Sequence, residues 1–243
     1  FEEKIFRLIG VMPKWEGKTY DELDESDRLM LDDTVLRATI VQQLDPDDDS
    51  SVYHIFERLN TGGMNLNSME IRRSVFQGAF ANLLEELNEN ENWRNILGRP
   101  KLDKRLRDVE LVLRVVAMQN TWESYEKPMK TYLNKFMAQV NRKSEEELSA
   151  FLDQVKIDFE WAVEILNEEL GAKPFHIRGP INYAVLDSMY GAVAGMDTSP
   201  SDLAEKFSAL LNDSDYMSAV SVSTSDEKVV AMRFGKAIDL IRE

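Results

Sequence analysis

SEEELSAFLDQVKIDFEWAVEILNEEL, residues 144–170, sets the expected architecture. Its apolar residues Leu148, Phe151, Leu152, Val155, Phe159, Val163, Leu166 and Leu170 return every three or four positions, so on a helix they form one stripe. Ser144 stands three residues before Glu147, the spacing of a capping box. A helix this long with one apolar stripe has to bury it, and helix-on-helix packing is the expected solution. Similar start chemistry recurs at Asn67-x-x-Glu70, Ser199-Pro200 and Thr224-x-x-Glu227. A polar helical stretch is expected at Asp24 to Asp33. Val109 to Met118 reads as an apolar helix interrupted only by Glu110 and Arg114, which at i and i+4 with the acid first are expected to pair.

Two stretches fit this helical pattern less well. Val35 to Leu44 carries the β-branched run Thr39-Ile40-Val41 closed by Asp45-Pro46, and is expected to be a strand. A lone strand cannot satisfy its own backbone groups, and the rest of the sequence offers few partners. Glu2 to Ile9 reads as helical, with Ile5, Phe6, Leu8 and Ile9 apolar, but no cap precedes it. The expected fold is therefore mainly α: a multi-helix, bundle-like array with one short isolated or edge strand, as in a fragment of an α+β protein.

Composition narrows the function classes. With 243 residues and 43% hydrophobic content the chain can bury a sizeable core, and it holds no apolar run of the length that crosses a bilayer. Its start, Phe1-Glu2-Glu3-Lys4, lacks the features of a signal peptide, and the absence of cysteine removes disulfides, thiolate nucleophiles and thiolate zinc sites. A cytoplasmic protein with no membrane contact is expected. A net charge of −15 opposes non-specific nucleic-acid binding. The exception is Arg94 to Arg107, where Arg94, Arg99, Lys101, Lys104, Arg105 and Arg107 meet a single acid, Asp103. Two readings of that run stay open, a phosphate-facing patch and a solvated loop and helix face.

The most informative local motif is VYHIFERLNTGGMNLNSMEIR, residues 52–72. Val52, Ile55, Phe56 and Leu59 give a core-facing helix, which Asn60 and the glycines Gly62 and Gly63 stop before the capped helix that follows Asn67. Such a turn exposes backbone N–H groups near a helix N-terminus, with Arg58, Arg72 and Arg73 as charge partners, and so is a candidate phosphate cradle. A plain helix connector is the competing reading. The motif is not a Walker loop, because no Gly-Lys-Ser/Thr follows the spacer.

The order and spacing of Ile55-Phe56-Glu57-Arg58-Leu59-Asn60-Thr61-Gly62-Gly63, Leu66 and Glu70-Ile71-Arg72 resemble a signature of the domain of unknown function 262, the N-terminal domain of GmrSD-type restriction enzymes, with a ParB/sulfiredoxin-like core. The resemblance continues more loosely through Asp108 to Arg114, Ile181-Asn182, and Ser223-Thr224 to Arg233-Phe234. It implies NTP binding and hydrolysis, with Mg2+ in the intact protein, linked to restriction of foreign DNA. The implied nucleotide- or phosphate-binding candidates are Arg58, Asn60, Thr61, Gly62, Gly63, Glu70 and Arg72. It also implies that residues 1–90 are the remainder of the NTP-binding domain and 91–243 a helical domain. The family's Asp-Gly-Gln-Gln-Arg motif is absent, and Gln42-Gln43 lacks its flanking residues, so the chain is expected to be catalytically incomplete as given. No catalytic residue is assigned, and no cofactor is evident for this chain alone. A missing N-terminal segment or another protein chain is the expected partner, with DNA a candidate partner of the intact protein and homo-oligomerisation open. His54 and His176, the two histidines, do not stand at metal-ligand spacing, which argues against an HNH nuclease and against any metal site here.

A second class of function fits the same residues, a non-enzymatic helical module that docks another chain through exposed apolar surface. A third, a ParB-like transcription or partition factor, is disfavoured by the acidic balance and the lack of a basic recognition helix.

Overall fold

The computed structural model describes residues 6–35, 55 and 65–243. The chain divides into two compact units, Phe1–Gln42 and Gln43–Glu243. Among the described residues there are eleven α-helices and no strand. The expected array of helices forms, while the expected strand from Val35 to Leu44 lies, apart from Val35, outside the described residues.

In the first unit the expected helix at Glu2 to Ile9 does not extend over its described part, Phe6 to Ile9. The Leu8 N–H donates to the Lys18 carbonyl at 2.9 Å and the Leu8 carbonyl accepts from Gly17 at 2.8 Å, so its backbone is engaged in a loop closure instead of a helical ladder. The expected helix at Asp24 to Asp33 is present as α1, Glu25–Asp32. Trp15 Nε1 and Lys14 Nζ both bind the Asp27 carboxylate, at 2.7 and 3.0 Å, and tie the loop to α1.

The second unit contains α2 (Ser68–Val75), α3 (Ala79–Asn88), α4 (Glu91–Leu97), α5 (Arg107–Thr121), α6 (Met129–Asn141), α7 (Glu145–Leu170), α8 (Tyr183–Val193), α9 (Leu203–Asn212), α10 (Ser214–Ala219) and α11 (Glu227–Arg242). Helix α7 follows the 144–170 pattern: Ser144 and Glu147 make the capping box, and Val155, Phe159, Val163 and Leu166 are buried. Its apolar stripe faces α3, α4, α8 and α9. Helix α8 is different, since every residue from Ala184 to Val193 is buried. A helix apolar on nearly all sides belongs at the centre of its unit, and α8 packs against α11, α5 and α7.

The chain does not divide near residue 90. Asn90 caps α4, and Asn88, the last residue of α3, accepts from Trp93 Nε1 at 3.2 Å and from Arg94 at 2.9 Å. Trp93 in turn packs on Phe159 with ring centroids 5.4 Å apart, and Phe159 on Tyr190 at 5.9 Å, so α3, α4, α7 and α8 share one core. Two expected caps are displaced as well. Helix α9 starts after Asp202, beyond Ser199-Pro200. Helix α11 is capped by Asp226, whose side chain accepts from the Lys228 N–H, because the Thr224 carbonyl is held outside the helix by Arg233.

Two glycines in α8 and α11 make opposite predictions. A Cβ on Gly191 would lie 2.7 Å from the ring of Phe234, which is fully buried and stacked on Trp122 at 5.3 Å. Overpacking costs about 1–3 kcal/mol, which outweighs the helix-propensity gain of about 1 kcal/mol from Gly to Ala. A Cβ on Gly235 would meet nothing within 4 Å. Urea unfolding should therefore show Gly191→Ala less stable than wild type and Gly235→Ala more stable by about 0.5–1 kcal/mol. Equal midpoints for the two variants would mean that the α8–α11 contact is loose.

Candidate functional site

Of the residues expected at the phosphate cradle, Arg58, Asn60, Thr61, Gly62 and Gly63 lie outside the described residues, as does His54. The described residues resume at Asn65. Asn67 caps α2, accepting from the Met69 and Glu70 N–H groups, and the Glu70 carboxylate accepts from the Asn67 N–H at 2.6 Å. Arg105 closes the arrangement. Its Nε and Nη2 bind the two Glu70 oxygens at 3.1 and 2.8 Å, its Nη2 also donates to the Asn65 carbonyl at 2.6 Å, and its own carbonyl accepts from the Asn67 amide at 2.6 Å. The Arg105 guanidinium, ahead of the Asn67 N–H, holds the Glu70 carboxyl below its ordinary range.

Arg72 does not face a surface. Its side chain is 1% exposed, and its three nitrogens donate to Asn134 Oδ1 (2.7 Å), Glu110 Oε2 (2.7 Å) and the Lys130 carbonyl (3.2 Å). It ties α2 to α5 and α6. Arg73 binds Glu85, with Asn82 as a second acceptor at 2.9 Å.

Of the basic run from Arg94 to Arg107, Arg94 alone is turned inward. Arg94 is buried, donating to Asp108 at 2.8 Å, to Asn88, and to the carbonyls of Arg99 and Lys101. Arg105 is on Glu70, and Arg107 is 3.4 Å from Asp103. Arg99, Lys101 and Lys104 are left at the surface. Charge density in sequence did not become charge density in space, because three of the six cations neutralise acids of the fold. Burial alone would raise the Asp108 carboxyl, but the Asp103 N–H, Asn88 and Arg94 outweigh it and hold it below the usual carboxylate value.

Glu110 and Arg114 do not pair with each other. Glu110 goes to Arg72, while Arg114 reaches across to Asp187 on α8, donating from Nε at 3.0 Å and Nη2 at 2.6 Å to Oδ2. Arg233 of α11 donates to the same carboxylate, from Nε to Oδ1 at 3.2 Å and from Nη2 to Oδ2 at 3.1 Å, and its Nη1 binds the Thr224 carbonyl at 2.7 Å. Asp187 and Arg233 are fully buried and Arg114 is 14% exposed. A buried carboxylate needs charged partners, and that demand outcompetes a local helical pair worth a few tenths of a kcal/mol.

Above Arg114 a cleft of about 340 Å³ opens between the start of α8 and the α10–α11 connection. Arg114, Arg178, Asn182, Tyr183, Met217 and Thr224 are among its lining residues. Asn182 caps α8, accepting from the Ala184 and Val185 N–H groups and donating to the Val220 carbonyl at 2.9 Å. Arg114, Asn182, Thr224 and Arg233, far apart in the sequence, thus come together around one place. Asp187, which joins them, was not singled out in the sequence; its signal is a lone acid within the apolar run Ala184 to Val193.

No protein-family model matches the chain, and no curated protein or solved structure is significantly similar to it. Among the described residues no three acidic or histidine side chains are grouped to hold a metal ion.

Two variants test this electrostatic account. Asp187→Asn leaves two inward guanidinium groups without a counter-charge and should cost about 3–5 kcal/mol in urea unfolding; a decrease below about 1 kcal/mol would show that the cluster is not needed. Asp108 has a folded value below its unfolded one, so its stabilisation is present above about pH 4 and lost as pH falls. Asp108→Asn should lower stability at neutral pH and make its decline below pH 4 shallower, read from unfolding midpoints across that range.

Proposed function

We propose that the chain is the helical portion of an NTP-binding and NTP-hydrolysing protein of the GmrSD-like DNA restriction or phage-defence type, with the Asn60–Gly63 turn binding phosphate. The sequence from Ile55 to Arg72 supports this reading. The observation that carries it is the fixed exit from the turn: the Asn65 carbonyl, the Asn67 backbone and the Glu70 carboxylate are all locked through Arg105. A segment fixed in this way loses little conformational freedom when the residues before it take up an anion, and preorganisation is what converts an interaction into affinity.

Calorimetric titration of the chain with ATP and with GTP tests it. Asn60→Ala and Gly63→Val are expected to weaken nucleotide binding at least tenfold without loss of helical circular dichroism, and Arg105→Gln, which frees the exit, to weaken it less. Wild-type binding by all three variants would reduce the turn to a connector. For DNA, Arg99, Lys101 and Lys104 of the basic run are exposed with no acid partner among the described residues, and Arg107 is exposed beside Asp103. Lys101→Glu with Lys104→Glu should lower the salt dependence of any DNA binding by about 0.9 for each phosphate no longer neutralised.

A second reading, a non-enzymatic interaction module, draws on Leu29, Met30 and Leu31, which are 57%, 55% and 46% exposed on α1. Sedimentation separates it from the first: self-association abolished by Met30→Glu, with nucleotide binding absent, would favour the module.

A further inference from the structure

The cleft beside Arg114 carries positive charge that the fold does not consume. One carboxylate, Asp187, is shared by two guanidinium groups, so the cluster keeps one net positive charge. Arg233 is fully buried and its Nη1 ends on the Thr224 carbonyl. The excess therefore reaches solvent at Arg114, which gives Nε and Nη2 to Asp187 and whose Nη1 makes no hydrogen bond among the described residues. Arg178 lines the same cleft, is exposed, and has no ion pair or hydrogen bond among the described residues. No acidic side chain lines the cleft, in a chain where Asp and Glu number 44 against 29 Lys and Arg. On so acidic a protein, a concave surface with two arginines and no acid concentrates the local field on an anion.

The rest of the lining adds direction and shape. The N-terminus of α8, an eleven-residue helix, lies at the cleft through Asn182, Tyr183 and Ala184, and its positive end favours negative charge. Ile177, Ile181 and Met217 supply an apolar wall. Tyr183 is 40% exposed, with the Arg114 guanidinium 5.9 Å from its ring centroid, so one ring face is offered beside the cation. A volume of about 340 Å³ is that of a small-molecule site. We infer that this cleft binds a small phosphate ester, with Arg114 and Arg178 on the phosphate oxygens and the Tyr183 ring and apolar wall against the organic body. The site shares no residue with the Asn60–Gly63 turn and does not rest on the function proposed for that turn.

Titration of the whole chain with inorganic phosphate, adenosine monophosphate and adenosine, followed by calorimetry and by the arginine Nε–H resonances, tests it. Adenosine monophosphate should bind saturably and shift the Arg114 and Arg178 signals, phosphate should bind more weakly, and adenosine should not bind. Arg178→Gln alters an unpaired surface side chain, so the fold is kept, and it should weaken monophosphate binding about tenfold or more, as expected for a charge-assisted hydrogen bond. Arg114→Gln should do the same, with its unfolding midpoint measured alongside because it also touches Asp187. The shifts of the Arg114 and Arg178 signals report on this cleft and not on the Asn60–Gly63 turn. Absence of saturable binding at millimolar monophosphate, equal binding by adenosine or by free phosphate, or unchanged affinity in Arg178→Gln would each overturn the inference. Loss of monophosphate binding in the turn variants but not in Arg178→Gln would place the anion at the turn and overturn it too.

Discussion

A fully buried aspartate between two arginines is the constraint on which the second unit depends. Asp187 sits on α8, the helix buried along its whole length from Ala184 to Val193, and it receives Arg114 from α5 and Arg233 from α11. The desolvation cost of a buried carboxylate is several kcal/mol, and it is met only when α5, α8 and α11 hold one relative placement. Apolar packing alone tolerates small slides between helices. Hydrogen bonds of 2.6–3.2 Å to one carboxylate do not. The same charge arithmetic leaves Arg114 half of a pair, and that surplus opens on the cleft.

Two other ionic ties repeat the design nearer the start of the unit. Arg72 joins α2 to α5 and α6 through Glu110 and Asn134, and Arg94 joins α4 to the start of α5 through Asp108. Both arginines are buried and fully engaged. With Arg105 on Glu70 they form a run of cation–acid pairs that takes up part of the basic segment of the sequence. An acidic chain of this kind commits its arginines to its own fold, so the few left unpaired, Arg178 above all, stand out as candidates for binding.

Periodicity made the helices legible, and it did so best where one face alone is buried. The stripe of α7 and the capping boxes at Ser144 and Asn67 read directly from residue spacing, since they depend on neighbours three and four positions apart. Pairings over long sequence distances did not read. Glu110 and Arg114 have ideal local spacing, yet each is drawn to a buried partner, Arg72 at 38 and Asp187 at 73 residues' separation. The cap expected at Thr224 misplaced the start of α11 because Arg233, bound to the Thr224 carbonyl, holds that residue outside the helix. Asp187 was the hardest to see: within an apolar helix a single acid carries no periodic signal, and its meaning appears only when two distant arginines arrive.

The central claim is that Asp187 couples Arg114 and Arg233 into one unit, and a double-mutant cycle measures that coupling directly. Unfolding free energies of Asp187→Asn, Arg114→Met and the double variant separate the interaction from the separate effects of each substitution. A coupling of about 1–3 kcal/mol is predicted, with Arg114→Met costing much less once Asp187 is gone. Additivity within about 0.5 kcal/mol would contradict the account and leave apolar packing as the force that sets the array.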